Sequence, residues 1–139
     1  MRFFEVKVKV DRMMNSGAMK NVSEIYAVDA MTFTEAEART TECVHTETEG
    51  VFDVIAEKRA KYDEVVFNDG EMFFLVKFIL ITYNDGGNER RNPKFVLLRA
   101  ESIDKAKEHA REHMRLSFLE YEIEYIKETK IVDVLLNGN

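Results

Sequence analysis

Apolar and polar residues alternate along RFFEVKVKVDR, residues 2–12. Phe4, Val6, Val8 and Val10 share one side; Phe3, Glu5, Lys7 and Lys9 share the other. Period two of this kind predicts a half-buried strand. NSG at 15–17 supplies turn chemistry, and Val22 to Met31 reads as the returning strand. Thr32-Phe33-Thr34-Glu35 has the spacing of a capping box. The Thr32 hydroxyl can accept from the Glu35 N–H while the Glu35 carboxylate reaches back. Behind it Phe33, Ala36, Thr40, Cys43 and Val44 fall on one side of a helix expected to reach about Thr48, with Gly50 closing it. Val51 to Lys58 alternates as a strand, a bend is expected near Arg59-Ala60, Tyr62 to Phe67 reads as extended, and NDG at 68–70 as a tight turn.

The order then restarts. Met72 to Tyr83 reads as a strand, NDGG at 84–87 as a turn and Lys94 to Arg99 as a strand. Ser102 caps a helix expected from Ile103 to about Phe118, and Glu120–Lys127 with Lys130–Leu136 form a long, bent closing strand. Individual residues line up too. At a shift of 70, Phe3, Phe4, Val6 and Lys7 meet Phe73, Phe74, Val76 and Lys77, and Thr32 meets Ser102 at the helix cap. At a shift of 69, Lys58, Lys61, Val65 and Asn68 meet Lys127, Lys130, Val134 and Asn137. Matches in every element, in order, predict an internal duplication. The expected fold is α+β: one domain, residues 1–139, made of two pseudo-symmetric β-β-α-β halves (about 1–69 and 70–139), with mostly antiparallel sheet and two helices.

One difference between the copies bears on function. Glu5, Lys7 and Lys9 in the first strand become Leu75, Lys77 and Ile79 in the second, followed by Ile81. A strand apolar on both faces is covered on both faces. Two helices can cover only one face of a sheet of about six strands. The second face, Phe73, Leu75, Lys77, Ile79 and Ile81, is therefore the expected contact surface, met by the other half of the chain or by a second molecule, a homodimer included.

Composition narrows the class without naming a job. The chain is 45% hydrophobic and 33% charged, with one Pro and six Gly, the profile of an ordinary globule. Its length suffices to bury about two thirds of the unfolded surface without staples. Lone Cys43 cannot form an internal disulfide. The charged, alternating N-terminus lacks the apolar run of a signal peptide. MFFLVKFILITY, broken by Lys77, is too short for a membrane span. A cytoplasmic protein is expected, away from membranes. Net charge −6 argues against generic duplex DNA binding.

Candidate chemistry is sparse. His109 and His113 stand at i and i+4 on the second helix, a chelating spacing. Ala110 occupies the place where the zinc-protease pattern needs Glu, and no third ligand is indicated. Cys43 holds the matching position on the first helix; a Cys–His pair is a nucleophile arrangement, but a cysteine on an apolar stripe more often serves as a small hydrophobe. NDG and NDGG lie between strands rather than before helices, so neither reads as a phosphate loop. No catalytic residue, cofactor or metal is expected. Lysines recur at matched places: Lys7 and Lys77, Lys58 and Lys127, Lys61 and Lys130, with Lys9 beside them. Interleaved with aromatics they could bind single-stranded nucleic acid; lysines on strand edges also block edge pairing.

The stretches MRFFEVKVKVDRMM, VDAMTFTEAEAR and EKRAKYDEVVF resemble a family of small uncharacterised proteins from Bacteroidetes bacteria and their phages. The resemblance implies a small intracellular or phage-encoded accessory protein and assigns no catalytic residue. The expected function is a non-enzymatic binding or assembly module, with accessory binding of single-stranded nucleic acid as the rival.

Overall fold

The alternation that opens the chain becomes β1 (Phe3–Met13), which turns back through Gly17, at positive φ, into β2 (Met19–Asp29). There follow α1 (Phe33–Glu47), β3 (Phe52–Arg59) and the short β4 (Glu64–Val66), then β5 (Met72–Tyr83), β6 (Glu89–Ala100), α2 (Ile103–Met114), β7 (Glu120–Glu128) and β8 (Ile131–Leu135). This computed structural model describes residues 2–47 and 52–137. The expected helix end near Thr48, Gly50 as its stop and the strand start at Val51 lie outside the described residues.

The fold is α+β, with two helices and mostly antiparallel strands among the described residues. The strands form two four-stranded sheets rather than one, ordered β3-β1-β2-β8 and β4-β6-β5-β7. Three strands of each sheet pair antiparallel, and the fourth joins parallel: β8 beside β2, and β4 beside β6. The expected single closing strand over 120–136 is thus two strands in different sheets. The compact units follow the sheets: one holds residues up to Lys61 together with those from Lys130 onward, and the other is Tyr62–Thr129.

In the first unit Phe4, Val6, Val8 and Val10 of β1 join Tyr26, Val28, Ala36 and Val44 in the core under α1. Thr40 is fully buried there and satisfies its hydroxyl by donating to the Ala36 carbonyl at 2.8 Å. Phe33 leans its ring against Phe4 with centroids 4.7 Å apart. In the second unit Phe74, Val76 and Phe78 of β5 pack with Val96 and Leu98 of β6 beneath Ala106, Ala110 and Met114 of α2. Alanines on the buried stripe bring each helix close to its sheet.

Both helix caps form. The Thr32 hydroxyl accepts from the Glu35 N–H at 3.1 Å, and the Ser102 hydroxyl from the Lys105 N–H at 3.2 Å. Glu35 reaches back to the Met31 N–H at 3.0 Å, one residue before the cap. That bond, with Arg39 beside it, lowers the Glu35 carboxyl from its usual range. Several boundaries move, most of all at β6 and α2. β6 begins at Glu89 instead of Lys94, and its Pro93 is tolerated because β4 pairs only with Val96–Leu98, leaving one side of β6 open at the proline. α2 stops at Met114 instead of Phe118, with Arg115 as its last cap.

Candidate functional site

The second face of β5 packs as its pattern demands. Phe73, Leu75, Ile79 and Ile81 are all buried, and none belongs to the cluster under α2. Lys77 sits among them with a quarter of its side chain exposed. In the ladder it lies opposite Phe95 on one side and Tyr125 on the other. Its ammonium is 5.7 Å from the Phe95 ring centroid, 6.0 Å from that of Tyr125, and 2.6 Å from a Glu124 carboxylate oxygen. Aromatic faces and a carboxylate together offset the loss of water around this cation. Lys127 lies 5.3 Å from the same Tyr125 ring.

The remaining sequence-singled lysines are spread over the molecule. Lys7 and Lys9 are exposed on one face of β1. Lys58, across the ladder from Glu5, pairs with it at 3.6 Å. Glu5, Lys7, Ile25, Ala56, Glu57 and Lys58 line a shallow depression there. Lys61 and Lys130 are exposed. The depression carries acid as well as base. Glu57 hydrogen-bonds Glu37, which pushes the Glu57 carboxyl above its usual range.

The histidines and the cysteine divide as follows. His113 is half-buried, its Nε2 3.2 Å from Glu64 Oε1 on β4, with its ring beside that of Phe78. Lys94 approaches the same Glu64 oxygen at 3.5 Å. His109 is half-buried on the same helix. Cys43 is half-buried on α1, in the other unit. Among the described residues, no three His, Cys, Asp or Glu side chains converge as a metal-holding group.

The most exposed apolar residues lie where the sequence reading placed a helix. Because α2 ends at Met114, the chain leaves it through Arg115-Leu116-Ser117-Phe118-Leu119. Leu116 is 80% exposed, Phe118 fully exposed and Leu119 46% exposed. The segment has a defined shape. The Arg115 N–H donates to the Glu112 carbonyl at 3.2 Å, Ser117 N–H to Met114 O at 3.0 Å, and Leu119 N–H to the Ser117 hydroxyl at 3.2 Å. A polar rim flanks it. Arg115 pairs with Glu112, and Glu120 accepts from the Tyr83 hydroxyl at 3.3 Å, its charge raising the pKa of that phenol. A usable signal was present: at 100° per residue Leu116 and Leu119 fall off the buried stripe of the helix.

No described helix is long and apolar enough to cross a membrane. Among protein-family models, DUF4494, a domain of unknown function, matches residues 2–137. No curated protein and no solved structure matches the chain.

Proposed function

We propose that this chain, which belongs to the DUF4494 family, is a non-enzymatic binding and assembly module of the cytoplasm. Its contact surface is the segment after α2, and its first partner is a second copy of itself. One observation carries the reading: Leu116, Phe118 and Leu119 stand in solvent on a segment already held by its own hydrogen bonds. Aromatic anchors dominate binding energy at interfaces, and burying one Phe contributes about 1.5–3 kcal/mol. A preformed segment loses little freedom on docking. The Phe73–Ile81 face expected from sequence is buried in the single chain, so it is the less accessible surface. Light scattering over a concentration series tests the reading. The wild type should associate, and Phe118→Ser should remain a monomer; a strict monomer for both at high concentration would overturn it.

Accessory binding of single-stranded nucleic acid is the second reading, favoured by Lys7 and Lys9 exposed side by side on β1. Fluorescence anisotropy with a short single strand at two salt concentrations decides it. Binding that weakens with salt and with Lys7→Glu supports it; no binding at low salt rejects it.

The same proposal takes the two units as copies of one module. Their strand orders match once β3, β1, β2 and β8 are set against β7, β5, β6 and β4. If β1–β3 are superposed on β5–β7 and the helices fail to overlay, the duplication is rejected.

A further inference from the structure

Each sheet is completed by a strand that is remote in sequence. β1, β2 and β3 come from one run of chain, but the strand beside β2 is β8, reached only after the whole of Tyr62–Thr129. β5, β6 and β7 likewise form one run, and the strand beside β6 is β4, which precedes them. The two departures are built alike. The Ala60 N–H donates to the Phe3 carbonyl and the Thr129 N–H to the Phe73 carbonyl, both at 2.9 Å, and each chain then leaves for the other sheet. An arginine holds the residue beyond each visiting strand. Arg39 donates to the Asn137 side chain at 3.1 Å, after β8, and Arg99 to the Asn68 carbonyl at 2.9 Å, after β4.

Of the two visitors, β8 has the shorter link to the strand before it. It is short, pairs along one edge only, and its register with β2 breaks between Ile25 and Tyr26. Only Thr129 and Lys130 separate it from β7. A second copy carries an identical strand, so every contact β8 makes with β2 can be made equally by β8 of another molecule. Exchange of an identical element is a low-cost route to a dimer, and short links favour it.

From this topology we infer that the edge of β2 is a self-recognition site: it accepts Ile131–Leu135 from its own chain or from a second copy of this chain. In the exchanged dimer Tyr26, Ala27 and Val28 pair with the partner's Asp133, the partner's Val134 and the partner's Leu135. The surface after α2 takes no part, so this site is independent of the proposed docking segment.

The test uses the full chain carrying either of two affinity tags. The two forms are unfolded together in denaturant, refolded at low and high concentration, and then captured through one tag. Co-capture of the other tag should rise with refolding concentration, since exchange is bimolecular while closure is not. It should persist after dilution, persist in Phe118→Ser, and in that variant be absent when folded samples are simply mixed. Monomer alone at every refolding concentration would overturn the inference, as would equal co-capture on native mixing of Phe118→Ser, the sign of a side-by-side dimer. Deleting Lys130 shortens the link and should shift the folded protein to dimer; a folded monomer with an unchanged melting temperature would also overturn it. If the deletion prevents folding, the tagged wild-type experiment still decides.

Discussion

Gly70→Ala should be among the most damaging single-methyl additions in this molecule. Gly70 ends the NDG turn before β5 at φ +132°, a backbone region that L side chains rarely adopt. A Cβ placed there would lie 2.2 Å from the Ala100 carbonyl carbon, 2.4 Å from the Glu101 nitrogen and 2.5 Å from the Ala100 oxygen. All three are backbone atoms, so no side-chain rotation relieves the contact. Ala100 is fully buried at the end of β6 and pairs with Met72, so yielding means parting β5 from β6. Backbone strain costs about 1–3 kcal/mol, and overpacking about as much again. With a urea m-value of about 2 kcal/mol/M, a combined loss of about 4 kcal/mol moves the midpoint down by about 2 M. Gly17→Ala is the matched control: it also has positive φ, at +86°, but a Cβ there meets nothing within 4 Å. It should cost only about 1 kcal/mol. Urea titrations followed by circular dichroism measure both. Equal midpoints for the two variants would refute the steric argument, because both have positive φ and only Gly70 faces backbone, that of Ala100 and Glu101.

Thr32→Ala removes the acceptor for the Glu35 N–H and should cost about 1 kcal/mol, read as a lower thermal midpoint; an unchanged midpoint would show the cap to be idle. Glu35, lowered by the Met31 N–H, contributes stability that is present above the ordinary glutamate pKa of about 4.3 and lost as pH falls through its lowered value. Glu35→Gln should therefore flatten the acid limb of the melting profile. Glu57 has the opposite sign. Raised by Glu37, it contributes stability that is full below about pH 4.3 and lost as pH rises through its raised value, so Glu57→Gln should raise the melting temperature at pH 7 but not at pH 3. An equal change at both pH values would contradict this. Phe118→Ser should leave stability within about 0.5 kcal/mol, since the ring touches solvent; a larger loss by urea titration would mean the ring packs somewhere.

Local pattern carried the fold a long way. Period two in β1 placed Phe4, Val6, Val8 and Val10 in the core, and both caps were readable from Thr32 and Ser102 because capping depends only on residues three apart. Strand partnership was not readable. Nothing local in IVDVL says that it pairs with β2 instead of extending β7, because parallel pairing depends on residues far apart in sequence. The end of α2 was readable and misjudged: Leu116 and Leu119 fall off the stripe of Ala106, Ala110 and Met114, and the helix closes at Met114. The setting of Lys77 was hidden too. Its partners Phe95, Tyr125 and Glu124 come from strands on either side, and only the ladder brings them to one cation.

The remote origin of β8 has a consequence during synthesis. A nascent chain emerges N-terminus first, at about 5–20 residues per second, and domains commonly mature in that order. Here the first unit cannot be finished until Ile131–Leu135 leave the ribosome, whereas everything the second needs, Tyr62–Thr129, is made earlier. Maturation should run backwards, the later-made unit closing while the earlier waits with its β2 edge bare. Protease digestion of ribosome-stalled chains ending near residue 129, with the exit tunnel cleared by an added spacer, should find Tyr62–Thr129 resistant and the N-terminal part cleaved.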